Sequence, residues 1–157
     1  MYKTIVRRRV IALFNQANNG NWQAIIDALD DQFLYRFVGD TPLGGIRTKK
    51  PAMAVWFKRV YKFFPGSKFY PDTIVVMGMP WNTKVMTYVR IRGTQPSTQG
   101  HTLPYENEFM QLLKLRWGRI TSVITIEDTQ RFVDLLPKLV AAGITDASAA
   151  AVSDDVQ

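Results

Sequence analysis

The sequence predicts one α+β domain in which helices close one end of a curved antiparallel sheet around an apolar pocket. Its 157 residues match the usual length of a domain with a single hydrophobic core. Segment 51–64 has the apolar spacing of an amphipathic helix, and three long strand-like segments follow it with only turns and loops between them. Because consecutive strands joined by turns pair as antiparallel hairpins, these features define the fold class.

Two helices and a strand are predicted before residue 40. Apolar residues recur at helical spacing over 4–17, and a second, shorter apolar stripe covers 22–29. The run 32–38 is rich in aromatic and β-branched residues, which indicates a strand, and 39–42 has the glycine, aspartate and proline of a turn.

The third helix is the clearest element. Pro51 suits the first helical turn, where its missing N–H removes no hydrogen bond, and Pro65-Gly66 ends the helix. Its apolar face follows the spacing i, i+3, i+4, i+7, i+8, i+11 without a miss, through Met53, Trp56, Phe57, Val60, Tyr61 and Phe64.

The remaining strands and a last helix complete the domain. The strands are predicted over 69–79, 83–92, 103–117 and 119–127. The last helix begins at about Asp128, which we interpret first as its N-cap, and Glu127 just before it is the carboxylate that would reach the cavity instead. We therefore expect a single domain over 1–143 and a mobile tail over 144–157, where Ala, Ser and Asp predominate.

Period-two alternation in the long strands assigns one row of side chains to the helices and the other to an outer face. The outer row includes an apolar patch formed by Met86, Tyr88, Met110 and Leu112. Opposite charges border this patch, so we expect a homodimer through the outer face. The alternative is a scatter of exposed apolar residues without a partner.

Composition excludes several classes of function. No apolar run approaches the ~20 residues of a bilayer-spanning helix, so we expect no membrane partner. The chain has no cysteine, and His101 is its only histidine, so disulfides, thiolate chemistry and multi-histidine metal sites are excluded. These features favour a cytoplasmic protein without a metal or other cofactor. The net charge of +7 attracts phosphate, but its basic residues are dispersed and accompany no known binding motif, so we expect no nucleic-acid partner.

Two motif-bearing stretches carry a family resemblance. The first runs from Tyr35-Arg36-Phe37-Val38-Gly39 to Pro42-Leu43-Gly44-Gly45, and the second includes Asn107-Glu108-Phe109, Trp117-Gly118-Arg119-Ile120 and Asp128-Thr129. In their order and spacing these resemble the nuclear transport factor 2-like superfamily, nearest to the SnoaL-like polyketide cyclases and ketosteroid isomerases. The resemblance implies a cystatin-like cone, a curved sheet wrapped around a long helix with a deep pocket. It also implies frequent dimers and functions from isomerase, cyclase and epoxide hydrolase to non-enzymatic binder.

The catalytic sets of that superfamily do not carry over. Where ketosteroid isomerases have a carboxylate base on the first strand, this chain has Arg36, and their oxyanion tyrosine and acid correspond to Leu13 and Asn107. The acids of limonene epoxide hydrolases would fall in Val89-Arg90-Ile91-Arg92 and Ile124-Thr125-Ile126, which contain none. No catalytic residue is therefore assigned.

The predicted pocket residues are Arg36, Val38, Trp56, Tyr61, Val89, Tyr105, Asn107 and Phe109. Arg36 is the first candidate because a buried guanidinium needs a carboxylate, phosphate or ligand partner, and the alternative is an internal ion pair with Asp40 or Glu127. Asn107 would donate to a ligand carbonyl, unless the backbone satisfies its amide. The aromatic candidates serve either as pocket wall or as core packing.

Two functions fit these residues. The first is an acid–base isomerase, cyclase or hydrolase that acts on an apolar carbonyl-bearing or anionic ligand. The second is a non-catalytic ligand-binding or dimeric assembly module of the same fold. His101 lies in a polar loop and is expected to be solvated rather than catalytic.

Overall fold

A computed structural model describes residues 1–97 and 100–155, with the side chain of Pro96 excepted. Within these residues the chain forms four α-helices, six strands and one short 3-10 helix (Thr145–Ser148). The helices are α1 (Tyr2–Asn18), α2 (Gln23–Ala28), α3 (Lys50–Phe63) and α4 (Thr129–Ala141). The strands are β1 (Leu29–Phe37), β2 (Gly45–Arg47), β3 (Lys68–Met79), β4 (Asn82–Pro96), β5 (Thr102–Arg116) and β6 (Arg119–Glu127).

The six strands form one sheet in the order β2-β1-β6-β5-β4-β3. Each neighbouring pair is antiparallel except β1 and β6, which run parallel. Strands β3 to β6 are successive in the chain and pair through hairpins, as predicted, whereas β1 reaches β6 only through a long crossover. Register shifts place bulges in β1, β3 and β6, and bulges bend and twist a sheet. The predicted α+β cone is thus confirmed.

Helix α3 packs its apolar face against the inner side of the sheet. Met53 and Phe63 are fully buried, and Trp56 and Phe57 are nearly so. Phe63 also contacts Phe132 of α4, with ring centroids 6.1 Å apart. Burial of such large side chains contributes about 2 kcal/mol each, so the amphipathic face accounts for the position of α3.

Side-chain alternation in β4 and β5 follows the prediction. Along β4, Val85, Thr87, Val89 and Ile91 are buried, whereas the residues between them are exposed or half-buried. Along β5, the residues from Tyr105 to Leu115 alternate in the same way, with Asn107 and Phe109 inside. The inner rows face the helices, and the outer rows form a face that no helix covers.

The C-terminal segment differs from the expectation of a mobile tail over 144–157. Its described part begins with the 3-10 helix, and the side chains of Ala147 and Val152 are buried. Asp146 pairs with Lys62 of α3 at 2.9 Å between Oδ2 and Nζ.

Asp154 completes this packing at the start of α3. Its carboxylate accepts hydrogen bonds from the backbone N–H groups of Thr48 and Lys49 at 2.8 and 3.0 Å, and from the Thr48 hydroxyl at 2.7 Å. The carboxylate therefore satisfies N–H groups that would otherwise lack partners just before the helix. The alanine-rich composition that suggested disorder gave no sign of these contacts, because their partners lie about 100 residues earlier in the chain.

Candidate functional site

A cavity of about 120 Å³ lies between the inner face of the sheet and helices α1 and α3. Its lining includes aliphatic residues such as Val10, Leu13 and Leu43. Nine aromatic residues form most of the remaining wall: Phe14, Tyr35, Phe37, Trp56, Phe57, Tyr61, Phe64, Phe69 and Phe109. A cavity with such walls offers apolar and ring surfaces to a ligand.

Few polar side chains reach this cavity. Gln111 donates through Nε2 to the Thr125 hydroxyl at 2.9 Å, and both residues lie among the lining. The Tyr61 hydroxyl donates to the Ala17 carbonyl at 2.6 Å. Burial raises the pKa of Tyr35 to about 12, although the charge of Arg47 and a hydrogen bond with Thr125 act in the opposite direction. The phenols are thus neutral hydrogen-bonding groups at the cavity wall.

Glu127 supplies the one carboxyl group among the described lining residues. It ends β6 on the inner face, opposite Phe109 of β5, and its side chain is buried. Its Oε1 atom has no hydrogen-bond partner. Burial, assisted by the neighbouring charge of Asp128, raises the pKa of Glu127 to about 8. The carboxyl is therefore protonated at neutral pH and sits beside an apolar space.

The structure brings three of the predicted pocket residues to the cavity, namely Trp56, Tyr61 and Phe109. Val89 is fully buried with Ile91 and Phe109 in a smaller adjoining cluster, outside the lining. Val38 is half-buried, and its N–H donates to the Thr125 carbonyl at 2.9 Å. Val38 and Val89 therefore contact residues of the cavity lining but do not belong to the lining themselves.

Tyr105 and Asn107 form a layer next to the cavity. The Tyr105 ring stacks on Phe64 with centroids 5.1 Å apart. Asn107 donates through Nδ2 to the Tyr105 hydroxyl at 2.9 Å and to the Asp128 carbonyl at 3.3 Å. Its Oδ1 accepts from the backbone N–H of Glu108 at 2.8 Å. Protein groups therefore satisfy the amide, which is the alternative left open by the sequence.

The placement of Arg36 in the pocket is wrong. Along β1 the buried side chains are Leu29, Phe33, Tyr35 and Phe37, so Arg36 points to the outer face and is exposed. Each of the two rows of side chains in β1 includes apolar residues that fit an inward direction. The row with Tyr35 and Phe37 faces inward because burial of two aromatic rings is far more favourable than burial of the Arg36 guanidinium. The alternation of aromatic residues on either side of Arg36 was the available signal, and it identifies Tyr35 and Phe37 as cavity residues.

Arg47 is the buried arginine of this fold, and no pattern in the sequence pointed to it. Its Nη1 donates to the carbonyls of Gly44 at 2.8 Å and Val152 at 3.1 Å, and Nη2 donates to Gly45 at 3.1 Å. Burial lowers the pKa of Arg47 to about 10, with Tyr35 and Asp154 acting in the opposite direction. The group remains charged at neutral pH and is bound by protein carbonyls.

The other candidates lie away from the cavity. His101 is exposed just before β5. Asp128 accepts a hydrogen bond from the Arg131 N–H at 3.2 Å, so it caps α4 as predicted. In residues 1–97 and 100–155, no set of three or more His, Asp or Glu residues is placed to hold a metal ion. No helix in this part of the chain is long and apolar enough to cross a membrane.

A family model of the SnoaL-like domain matches residues 9–123, which is more than half of the chain. The chain therefore belongs to the SnoaL-like family, and the resemblance predicted from its motifs is confirmed. No curated protein matches the chain in sequence.

Solved structures share the fold at low identity. PrhC from Penicillium brasilianum NBRC 6234 has 17% identity and a TM-score of 0.74, covering 94% of this chain and 98% of its own. A putative SnoaL-like polyketide cyclase from Jannaschia sp. CCS1 has 14% identity and a TM-score of 0.69, covering 85% and 92%. TerC co-crystallised with polyporic acid has 17% identity and a TM-score of 0.67, covering 83% and 96%. Such low identities show the common fold alone.

Proposed function

We propose that this protein binds an uncharged, aromatic or polycyclic small molecule in the cavity, and that Glu127 acts on it as a general acid and base. Nine aromatic residues in the wall support the choice of ligand class. The described lining contains no lysine or arginine, so the anionic ligand suggested by Arg36 would find no cation there. TerC, which shares the fold, was co-crystallised with polyporic acid, and this supports a small-molecule ligand for the fold without indicating its charge.

The single observation that carries the catalytic proposal is the unpartnered Oε1 of Glu127 at the cavity. A protonated carboxyl there would donate its proton to a ligand carbonyl oxygen, and the resulting carboxylate would accept a proton from an adjacent carbon. The hydrogen-bonded pair of Gln111 and Thr125 would orient the polar end of the ligand. This chemistry corresponds to an isomerisation or cyclisation through an enol, with no cofactor required.

A ligand screen followed by the Glu127→Gln variant tests the proposal. Neutral polyketide-like aromatic compounds should raise the melting temperature, because they bind only the folded state, and carboxylated analogues should do so less. Any turnover of a bound compound should fall about 100-fold or more in Glu127→Gln, while binding is retained. Glu106→Gln is the matched control, since Glu106 is exposed on the outer face of β5.

The outcomes separate the two functions predicted from the sequence. If a compound binds and is never converted by the wild-type protein, the non-catalytic binding module is correct. If Glu127→Gln converts a substrate as fast as the wild type, Glu127 has no catalytic role. If carboxylated analogues bind more tightly than neutral ones, the ligand class is wrong.

We also propose a homodimer through the outer sheet face. Met86 pairs across strands with Val75 and Leu112, and Met110 pairs with Tyr88 and Ile126, so the apolar side chains form a band over four strands. Ion pairs between Arg90 and Asp72 and between Arg92 and Glu106 border this band. A continuous apolar band with a charged rim fits a subunit contact better than a scatter of exposed residues.

Sedimentation velocity tests this assembly. Met110→Asp should convert the wild-type dimer to a monomer, because it places a charge at the centre of the band. Val133→Asp on the exposed side of α4 is the matched control and should leave the dimer intact. A monomeric wild type at micromolar concentration would exclude the dimer.

The absence of cysteine suits the reducing cytoplasm, which we propose as the location.

A further inference from the structure

Two exposed tryptophans lie together where two hairpin turns meet. Trp81, in the turn between β3 and β4, is 56% exposed, and Trp117, after β5, is 69% exposed. Their ring centroids are 6.1 Å apart, and the backbone N–H of Trp117 donates to the Pro80 carbonyl at 2.7 Å. Met79, beside the first turn, is also 56% exposed. Apolar surface of this kind is costly to leave in water and often marks a contact.

The turn conformation at Trp117 disfavours a tryptophan, and the exposed position of its side chain means that the hydrophobic core does not require one either. Trp117 and Gly118 have φ angles of 51° and 79°, as in a two-residue type I′ hairpin turn. Such a turn favours Asn, Asp or Gly at its first central position, and a bulky side chain there is an outlier. Because the indole is exposed as well, it adds little to the hydrophobic core. A role outside the folded chain explains its presence.

The surface next to these indoles is positively charged. Lys84 of β4 lies directly opposite Lys114 of β5, and Arg116 lies opposite Arg119 of β6. Like charges in opposite positions destabilise a sheet. Lys84, Lys114 and Arg116 form no ion pair within the described chain, and Arg119 donates to the Leu29 carbonyl at 2.6 Å. An anionic partner would remove this repulsion.

Acidic groups are few around this end of the sheet. The segments 73–105 and 109–126, which contain both turns, have no Asp or Glu. The nearest acids along the neighbouring strand are Asp30 and Asp31 of β1, which follow the Leu29 that pairs with Ile120. Asp31 already pairs with Lys50 at 3.4 Å. The local charge is therefore positive.

We propose that the tryptophan surface, formed by Met79, Trp81, Lys84, Lys114, Arg116 and Trp117, docks on a bilayer that carries anionic headgroups. Indoles favour the boundary between headgroups and acyl chains, and Lys and Arg beside them reach the headgroup phosphates and carboxylates. The cytoplasmic leaflet supplies that negative charge. The expectation of no membrane partner rested on the lack of a spanning segment, whereas peripheral docking requires only an exposed apolar tip with basic flanks.

The same features argue against a nucleic acid as the partner. The two indole rings are inclined at 50° to each other, so they do not form parallel platforms for successive bases. Exposed Met79 adds a flexible aliphatic group, which suits acyl chains better than bases. The cations also form a short cluster rather than a groove that follows a backbone. The surface is separate from the cavity, and its Lys84 and Lys114 lie at the edge of the proposed dimer band, one outer-row position beyond Met86 and Leu112.

Vesicle co-sedimentation tests the proposal. The 157-residue chain should sediment with vesicles of phosphatidylcholine and phosphatidylserine, and much less with phosphatidylcholine alone. Lys84→Ala and Lys114→Ala should each weaken binding about fivefold. Trp81→Ala and Trp117→Asn should each weaken it about tenfold or more. Brominated lipids should quench the tryptophan fluorescence of the wild type, and quenching should be lost with binding.

The Trp117→Asn variant separates a binding role from a structural one. Asparagine suits the positive φ angle, so this variant should melt at a higher temperature than the wild type while binding vesicles more weakly. Lys138→Ala and Val140→Ala, both at exposed positions on α4, are the matched controls and should bind as the wild type does.

Three results would overturn the proposal. The first is vesicle binding by Trp117→Asn and Lys84→Ala at the wild-type level. The second is sedimentation that does not depend on phosphatidylserine. The third is tighter binding to a single-stranded oligonucleotide than to the vesicles, lost in the same variants, which would assign the surface to nucleic acid instead.

Discussion

The guanidinium carbon of Arg47 lies 5.2 Å from the centroid of the Trp56 ring. The indole N–H of Trp56 donates to the Leu43 carbonyl at 2.8 Å, while Arg47 binds the carbonyls of Gly44, Gly45 and Val152. One buried cation thus joins a wall residue of the cavity to the loop before β2 and to the C-terminal segment. These contacts make Arg47 a structural residue, in contrast to the exposed Arg36.

Replacing Arg47 with methionine should lower the free energy of unfolding by about 3 kcal/mol, because the buried contacts with the Gly44 and Val152 carbonyls and the part-buried contact with Gly45 lose their donor. The Arg36→Met variant is the matched control and should change it by no more than about 0.5 kcal/mol. Urea unfolding of both variants measures the difference. Equal effects would mean that the two arginines have similar surroundings, contrary to the structure.

The stability of the protein should depend on pH through Glu127. Its pKa is about 8 in the folded protein and 4.5 for the unperturbed group, so between these values folding binds a proton. The contribution of Glu127 is therefore fully present below about pH 4.5 and is lost as the pH rises towards 8.

Unfolding of wild type and Glu127→Gln at several pH values measures this contribution. Relative to the variant, the wild type should lose roughly 3 kcal/mol between pH 5 and pH 7.5, at up to about 1.4 kcal/mol per pH unit. Glu106→Gln should run parallel to the wild type. Parallel curves for Glu127→Gln as well would show that Glu127 is ionised in the folded state.

Gly44 permits the close approach of two backbone segments in the loop before β2. A Cβ atom there would lie 1.9 Å from the Gly39 carbonyl oxygen, which cannot move independently of the backbone. Gly44→Ala should therefore lower the free energy of unfolding by about 3 kcal/mol. Gly20→Ala should cost only about 1 kcal/mol, since a Cβ there meets nothing within 4 Å and only its positive φ of 76° is strained. A mild effect of Gly44→Ala in thermal unfolding would contradict the observed loop.

Asp154 should contribute to stability although it lies near the end of the chain. Asp154→Ala removes the carboxylate that binds Thr48 and Lys49, so it should lower the free energy of unfolding by about 1 kcal/mol. Asp155→Ala is the control at an exposed neighbouring carboxylate and should have no measurable effect. Identical chemical denaturation curves for the two variants would support the mobile tail predicted from composition.

Much of the fold follows from local patterns. The spacing of apolar residues correctly predicted α3, because a helix that packs on the sheet along one side carries one continuous apolar stripe. Alternation located the inner rows of β4 and β5, since the outer rows include charged residues such as Arg90 and Glu106 and the inner rows include none. Trp56, Tyr61 and Phe109 were correctly predicted as cavity residues. Trp56 and Tyr61 lie on the apolar face of α3, and Phe109 lies on the inner row of β5.

The candidate site was less predictable, and β1 shows why. Its two rows differ by one residue, so an error of one position exchanges Arg36 for Tyr35 and Phe37. The family resemblance placed Arg36 in the pocket, whereas the burial of aromatic rings decides the direction of the strand. Glu127 was considered as an ion-pair partner of Arg36 and as a carboxylate that would reach the cavity, but its missing hydrogen-bond partner depends on residues that are distant in the sequence.

The sequence by itself determined the α+β class, the long third helix, the hairpin-linked strands and the SnoaL-like family, since each depends on the order of nearby residues. Only the tertiary structure decided the parallel pairing of β1 with β6, the burial of Arg47, the packing of the C-terminal segment and the meeting of Trp81 with Trp117. These features join residues that are 36 to about 105 positions apart, and no local periodicity records which distant groups meet in the folded chain. Their positions follow from closing the sheet around α3, which brings distant segments together, and Arg47 shows how a buried polar group then binds partners from several of them.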